Sequence, residues 1–215
     1  ILPDYDAIRI LKEMGEKRPP NVFYHLECAA LAGAIRQYDF ACEIEDYLKK
    51  YPEATIVELG AGLSCLRRQM KNETNPWINI DFEDVIMCRE KYIPCGEKEK
   101  NLAYDITDHR WMEEIDPAHG LILLAAGVLH YLRHQDVIEL IDAIGERFPD
   151  SRFVFDFVSQ KGKTAGNSQI AATGNKTQIL FSMENAEKEL PLLSQAFRSV
   201  KQKSYLLIFF SKTTL

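Results

Sequence analysis

The sequence predicts an α/β fold in which a mostly parallel sheet carries helices on both faces. Three observations point that way. Short apolar runs alternate with helical segments between residues 55 and 158, which is the texture of βαβ units. The first run flows directly into a glycine turn and a helix in "ATIVELGAGLSCLRRQM" (54–70), the opening expected of a doubly wound sheet. The chain's 215 residues, 46% hydrophobic and 27% charged, have the composition of one soluble domain with a sizeable core.

Taken in order, residues 1–52 read as helical. "DYDAIRILKEMG" ends at Gly15, and after "KRPP" a longer stretch, "NVFYHLECAALAGAIRQYDFACEIEDYLKKY", repeats apolar residues at three- and four-residue spacing. These helices form an N-terminal cap on a core spanning 53–215. Strands are expected at "TIVELG" (55–60), "WINID" (77–81), "NLAYDI" (101–106), "LILLAAG" (121–127) and "RFVFDFV" (152–158). Helices are expected at 63–71, 83–92, 109–115 and 133–148, the last stopped by Pro149. "KYIPCGEKEK" reads as a solvated turn, and the small, polar stretch 159–176 as a mobile loop. A helix in "MENAEKELPLLSQAF" and a closing strand in "SYLLIFFSK", antiparallel at or near the sheet edge, complete the chain. Trp77 and Trp111 read as core.

Charge narrows the partners. A formal net charge of −6 leaves no basic stripe for counterion release, so nucleic acid is not an expected partner and a small molecule is. The longest apolar run, "GLILLAAGVL" (120–129), is too short to span a bilayer, for which roughly 18 residues are needed. No membrane partner is expected. Five cysteines without a CxxC pair suit free thiols in a reducing cytosol, and no signal peptide is apparent, so a cytoplasmic location is expected. Because residue 1 is Ile rather than Met, a segment upstream of it is expected. Oligomeric state is left open.

Gly60 and Gly62 follow a buried strand, where ligand can approach the backbone. By itself a GxG also serves any tight strand-to-helix turn. Three acids add to it. Glu58 places a carboxylate in an otherwise apolar strand, where burial without a polar partner costs several kcal/mol, and a cationic ligand would supply that partner. Asp81 ends the second strand about 20 residues on, where an acid can accept hydrogen bonds from ribose hydroxyls. Asp105 ends the third run and could accept from an adenine amino group. A nicotinamide cofactor expects a third glycine where Cys65 stands, and its pyrophosphate would be repelled by Glu58. S-adenosylmethionine, with an ammonium and a sulfonium beside its ribose and adenine, fits the acids better.

The segments "YPEATIVELGAGLSCLRRQM", "WINIDFEDVIMCREKYI", "NLAYDITDHRWMEEI", "LLAAGVLHYL" and "RFVFDFVS" together resemble the leucine carboxyl methyltransferase family, in particular its tetracenomycin-type polyketide O-methyltransferase branch. The resemblance covers roughly residues 25–160. It implies a Rossmann-like class I methyltransferase fold with a mostly parallel seven-stranded sheet, and S-adenosylmethionine as methyl donor. It also implies that Glu58, Gly60, Ala61 and Gly62 form the donor-binding turn, that Asp81 and Phe82 meet the ribose, and that Asp105 and Ile106 meet the adenine. Ala126 and Gly127 would lie beside the donor, Tyr131 would match the family's tyrosine, and Arg36 would reach the methionyl carboxylate. Where the carboxyl methyltransferases proper have Glu before that last glycine, this chain has Ala126, which argues against a protein C-terminal carboxylate as acceptor. The family's donor-binding segment ahead of the first helices has no counterpart in this sequence.

The expected chemistry is methylation of a small-molecule hydroxyl or carboxylate. Methyl transfer from a sulfonium is an in-line displacement, so the protein mainly aligns the acceptor and excludes water. A carboxylate acceptor needs no base; a phenol or alcohol gains from one. His130, directly after the fourth strand, is the candidate base, with Tyr131 beside it; a strand-end histidine bonded to backbone is the plainer reading. No metal is expected, because the zinc pattern that His130 and His134 could begin needs Glu where Tyr131 stands. Two other functions fit the fold: a non-catalytic binding or scaffold module, and a nicotinamide oxidoreductase.

Overall fold

The computed structural model describes residues 5–15 and 23–204, with the side chains of 23–30 outside that description. Two helices lead, α1 (Tyr5–Glu13) and α2 (Phe23–Lys50). The alternating core follows as β1 (Thr55–Leu59), α3 (Leu66–Gln69), β2 (Trp77–Asp81), α4 (Glu83–Tyr92), β3 (Glu99–Ala103), β4 (Leu121–Ala125), α5 (His134–Arg147) and β5 (Arg152–Phe155). Two further helices, α6 (Gln160–Ala172) and α7 (Ala186–Leu193), come after it. The five strands pair in one all-parallel sheet ordered β3-β2-β1-β4-β5. The winding direction reverses between β1 and β4, which puts the ligand crevice of such a sheet at the carboxyl ends of those two strands.

The continuous apolar texture of β1 and β4 follows from burial on both faces. Val57, Leu59, Leu121 and Leu123 pack against α5 through Leu140 and Ile144. Ile56, Ile122 and Leu124 pack on the other face against Phe40, Ile44 and Tyr47 of α2. The second half of α2 is therefore a layer of the core as well as part of the expected cap. The Tyr47 hydroxyl also accepts from Leu121 N at 3.1 Å and ties α2 to the start of β4. Trp77 and Trp111 are fully buried, as expected of core residues.

The structure corrects several expected boundaries. β3 begins and ends earlier than expected, at 99–103 rather than 101–106. Lys98, at φ +61°, turns the chain into pairing with β2, and Tyr104 N makes the last bond, to Asp81 O. The expected helix at 109–115 is a 3-10 helix (His109–Glu114), with the buried Trp111 indole donating to Ile106 O at 3.0 Å. The expected helix at 63–71 shrinks to the single turn α3.

The largest departure is 159–176, expected as a loop and observed as α6. Ser159 caps it by accepting from Gly162 N at 3.1 Å. Asn167 then exchanges two bonds with the backbone of Ile179, at 2.7 and 3.0 Å. At Gly166 an added Cβ would lie 2.5 Å from Ile179 Cδ1, so the small residues that lowered helix propensity are what allow the close approach.

Five strands are seen among the described residues rather than seven, and the expected closing strand lies, beyond Ser204, outside them. Cys42, Cys88 and Cys95 carry free thiols. No helix among the described residues is long and apolar enough to cross a membrane.

Candidate functional site

Two turns meet at the carboxyl ends of β1 and β4. The first runs through Gly60 (φ +66°) and Gly62 (φ +50°), backbone angles that side chains rarely adopt. Gly60 N and Ala61 N both donate to Ile80 O, at 2.8 and 3.0 Å, which pins the turn to β2. A Cβ on Gly60 would stand 2.5 Å from Val128 Cγ2, so a bare backbone is what lets the two turns touch. A Cβ on Gly62 would instead meet nothing within 4 Å, so one flank of that residue is open.

Asp81, the last residue of β2, closes on this turn. One carboxylate oxygen accepts from Gly62 N at 2.7 Å and the other from Phe82 N at 2.8 Å. A carboxylate offers about four lone-pair sites, so both oxygens keep capacity for further donors. The sequence placed Asp81 correctly at a strand end beside the glycines; it did not show the bond between them.

Glu58 behaves differently from its expectation. It is buried, and the Trp77 indole donates to it at 2.9 Å. The parallel register sets Trp77 opposite Ile56, within reach of the next inward-facing residue of β1. Burial raises the Glu58 pKa, against the opposing pull of the Arg89 charge and of bonds from Ser64 and Trp77. The partner expected from a cationic ligand is thus supplied by the chain itself.

Asp105 stands two residues past the end of β3. Its carboxylate accepts from Thr107 N at 2.9 Å and Thr107 Oγ1 at 2.8 Å in an exposed turn. Ile106 beside it is buried.

The second turn carries the other predicted residues. Ala126 is exposed, and Gly127 has φ +75°. A Cβ there would lie 2.6 Å from Arg36 Nη1, so Arg36 crosses directly over this turn. Its guanidinium pairs with Asp156 at 3.2 Å, and Gly127 N donates to the other Asp156 oxygen at 2.6 Å. Asp156, immediately after β5, is the residue that sequence reasoning missed. An acid inside the apolar run "RFVFDFV" was the available signal, the same signal that singled out Glu58.

His130 lies in a 3-10 turn (Leu129–Tyr131) and is 9% exposed. Its carbonyl accepts from Leu180 N and Phe181 N, at 2.7 and 3.1 Å, which holds the segment after α6 against the site. Its Nδ1 is buried with no hydrogen-bond partner. The backbone reading of this histidine therefore accounts for its carbonyl but not its ring. Burial lowers its pKa, with Asp156 pulling upward and Arg36 downward. Its ring centroid is 4.2 Å from that of Tyr131, which is itself exposed. His134 instead packs toward Phe181 at 5.4 Å.

Comparison with known proteins agrees with this architecture. No protein-family model matches the chain. It is 31% identical over 130 residues to the S-adenosyl-L-methionine-dependent methyltransferase dpfgK of Gibberella zeae, covering 56% of this chain and 43% of that protein. It is 26% identical over 113 residues to the tetracenomycin polyketide synthesis O-methyltransferase TcmP of Streptomyces glaucescens, covering 52% of this chain and 42% of that one. The matches thus span less than half the length of either relative. Among solved structures, human N-acetylserotonin methyltransferase in complex with its donor superposes with a TM-score of 0.51 at 14% identity, over 93% of this chain and 61% of that chain. The magnesium protoporphyrin IX methyltransferase of Synechocystis superposes with a TM-score of 0.50 at 8% identity, over 88% of this chain and 84% of that chain. The chain has the Rossmann-like α/β fold of methyltransferases.

Proposed function

We infer that this chain carries the methyltransferase domain of an S-adenosylmethionine-dependent O-methyltransferase, a cytoplasmic enzyme acting on a small-molecule hydroxyl or carboxylate. Residues 1–52 would be its helical cap and 53–215 its core. The likeness to TcmP and the five quoted segments support placing it in the tetracenomycin-type branch of the leucine carboxyl methyltransferase family. The observation that carries the reading is Gly62: a backbone at φ +50° with an open flank, bonded to the acid that ends the neighbouring strand.

The residues present fit the donor. Gly62 offers it an open backbone flank in a turn that Gly60 and Ala61 pin to β2, and Glu58 lies buried in the strand that leads into them. Asp81, with Phe82 after it, has lone pairs for ribose hydroxyls. Asp105 and Ile106 flank the adenine position, and Ala126 and Gly127 form the wall across from the glycine turn. Arg36 is the cation for a carboxylate, and engaging one means sharing or exchanging its pair with Asp156. When bound, the donor supplies an electrophilic methyl group on a sulfonium.

The chain's own part in the chemistry is to hold the acceptor in line and to remove its proton. His130 suits the second task. Its lowered pKa keeps the ring neutral at pH 7, and with the proton on Nε2 its unpartnered Nδ1 accepts. Tyr131, beside it and exposed, faces the acceptor side. Calorimetry on the full chain tests the reading: saturable heat with S-adenosylmethionine and S-adenosylhomocysteine, and none with NADH, is expected. Heat with NADH alone would replace it by the nicotinamide reading. Transfer of a labelled methyl group to a panel of phenols and carboxylates separates an enzyme from a binding module.

A further inference from the structure

We propose that Arg89, a fully buried arginine on α4, is a positioning residue that clamps the glycine turn in its donor-binding shape. The inference rests on the reading of that turn as the donor site. Arg89 is 1% exposed, and burying a guanidinium is costly unless every part of it is paired. Its three nitrogens make bonds of two kinds.

One set anchors it to the sheet edge. Nε donates to Asn101 Oδ1 at 3.2 Å, and Nη2 pairs with Glu99 at 3.4 Å. The other set reaches the turn itself: Nη1 donates to Gly62 O at 3.2 Å and to Ser64 O at 2.7 Å. The first is the carbonyl of the same residue whose N–H binds Asp81, and the second lies two residues on. Gly62 is thus held from both sides, its N–H by Asp81 and its carbonyl by Arg89. A residue at φ +50° has little local preference to keep it there, so the two bonds decide where its open flank points. A planar fork suits this task, because it can fix a carboxylate, an amide and two carbonyls at once, whereas an ammonium is a single point.

The neighbouring arginine supplies a control. Arg67, on α3, is 7% exposed along its side chain and pairs with the other oxygen of Glu99 at 3.0 Å. It also donates to Glu97 O at 2.6 Å, and its side-chain bonds among the described residues reach Glu97 and Glu99 rather than residues 60–64. Both arginines belong to one buried network, and only Arg89 holds the turn's carbonyls. Loss of stability alone cannot tell them apart; donor affinity can.

The test is calorimetric titration of S-adenosylhomocysteine into the full chain, with melting temperature measured in parallel, for wild type, Arg89→Lys and Arg67→Lys. Arg89→Lys is expected to weaken binding about 10-fold or more, while Arg67→Lys stays within about two-fold of wild type despite a similar fall in melting temperature. Unchanged affinity in Arg89→Lys, or equal loss in both variants, would overturn the inference. If Arg89→Lys does not fold, Asn101→Ala, which removes the Nε anchor, decides the matter: a loss of about three-fold or more supports the clamp, and wild-type affinity refutes it. Failure of wild type to bind would instead bring down the donor-site reading, and the clamp with it.

Discussion

The two sides of the crevice are built by different means. On the β1–β2 side the charged groups around the glycine turn are tied to the chain itself: Asp81 accepts from two backbone N–H groups, Arg89 donates to two carbonyls, and Glu58 accepts from the Trp77 indole. Unpartnered amide atoms sit behind them, at Asn79 on β2 and Asn101 on β3. On the β4–β5 side the lining groups include a histidine ring nitrogen without a hydrogen-bond partner, that of His130, and the ion pair that Arg36 and Asp156 share. A donor common to many acceptors calls for a fixed cradle, whereas an acceptor needs groups with bonding capacity to spare. The contrast fits the proposed seating of the donor on the first side, with Arg36 reaching its carboxylate from the second, where His130 serves the acceptor.

The contrast breaks most forcefully at the contact between the two turns. Gly60→Val adds atoms where even a Cβ would be 2.5 Å from Val128, at a φ of +66°. A left-handed backbone alone costs about 1–2 kcal/mol for a residue with a Cβ, and overpacking adds about 1–3 kcal/mol. Thermal unfolding is expected to show the largest loss of any substitution considered, together with complete loss of S-adenosylhomocysteine binding.

Next in size is the hold of α6 on the acceptor side. Asn167→Ala removes both bonds to the Ile179 backbone and leaves a carbonyl and an N–H unpaired, at a cost of about 1–3 kcal/mol. Amide exchange should speed up over residues 160–183 while 55–62 keep their protection. Faster exchange across both regions would show that the two sides do not open independently.

The smallest effect concerns pH. The His130 pKa is lowered in the folded chain, so the unfolded state binds more protons as pH falls. The stability its neutral form contributes is present above the ordinary histidine value of about 6.5 and is lost as pH falls through the lowered folded value. Glu58, whose pKa is raised, has the opposite sign: its contribution is present below the ordinary carboxylate value and is lost as pH rises through the folded one. The two are separated by substitution. His130→Gln should flatten the decline of melting temperature between pH 7 and pH 5, whereas Glu58→Gln should leave that His130-linked decline in place.

These differences also explain what could be read from the sequence. β1, β2, β4 and α4 were legible because strands buried on both faces form unbroken apolar runs and a helix between them has little freedom of length. Gly60, Gly62 and Asp81 were legible because backbone demands leave residue-type marks. Contacts set by tertiary register left no such mark. Nothing local pairs Glu58 with Trp77, and "KYIPCGEKEK", expected as a solvated turn, hides Glu99 between two buried arginines. Asp156 carried the right signal inside "RFVFDFV", but its partners Arg36 and Gly127 are 120 and 29 residues away. α6 was missed because propensity argued against it and packing on Ile179 prevailed.

The central claim, that the Gly60–Gly62 turn and Asp81 form the donor seat, is tested most directly by comparing S-adenosylhomocysteine affinity in wild type and Asp81→Ala. The account predicts saturable binding to wild type and at least a 10-fold loss in Asp81→Ala, with most of the melting temperature retained. Equal affinity in the two proteins would contradict it.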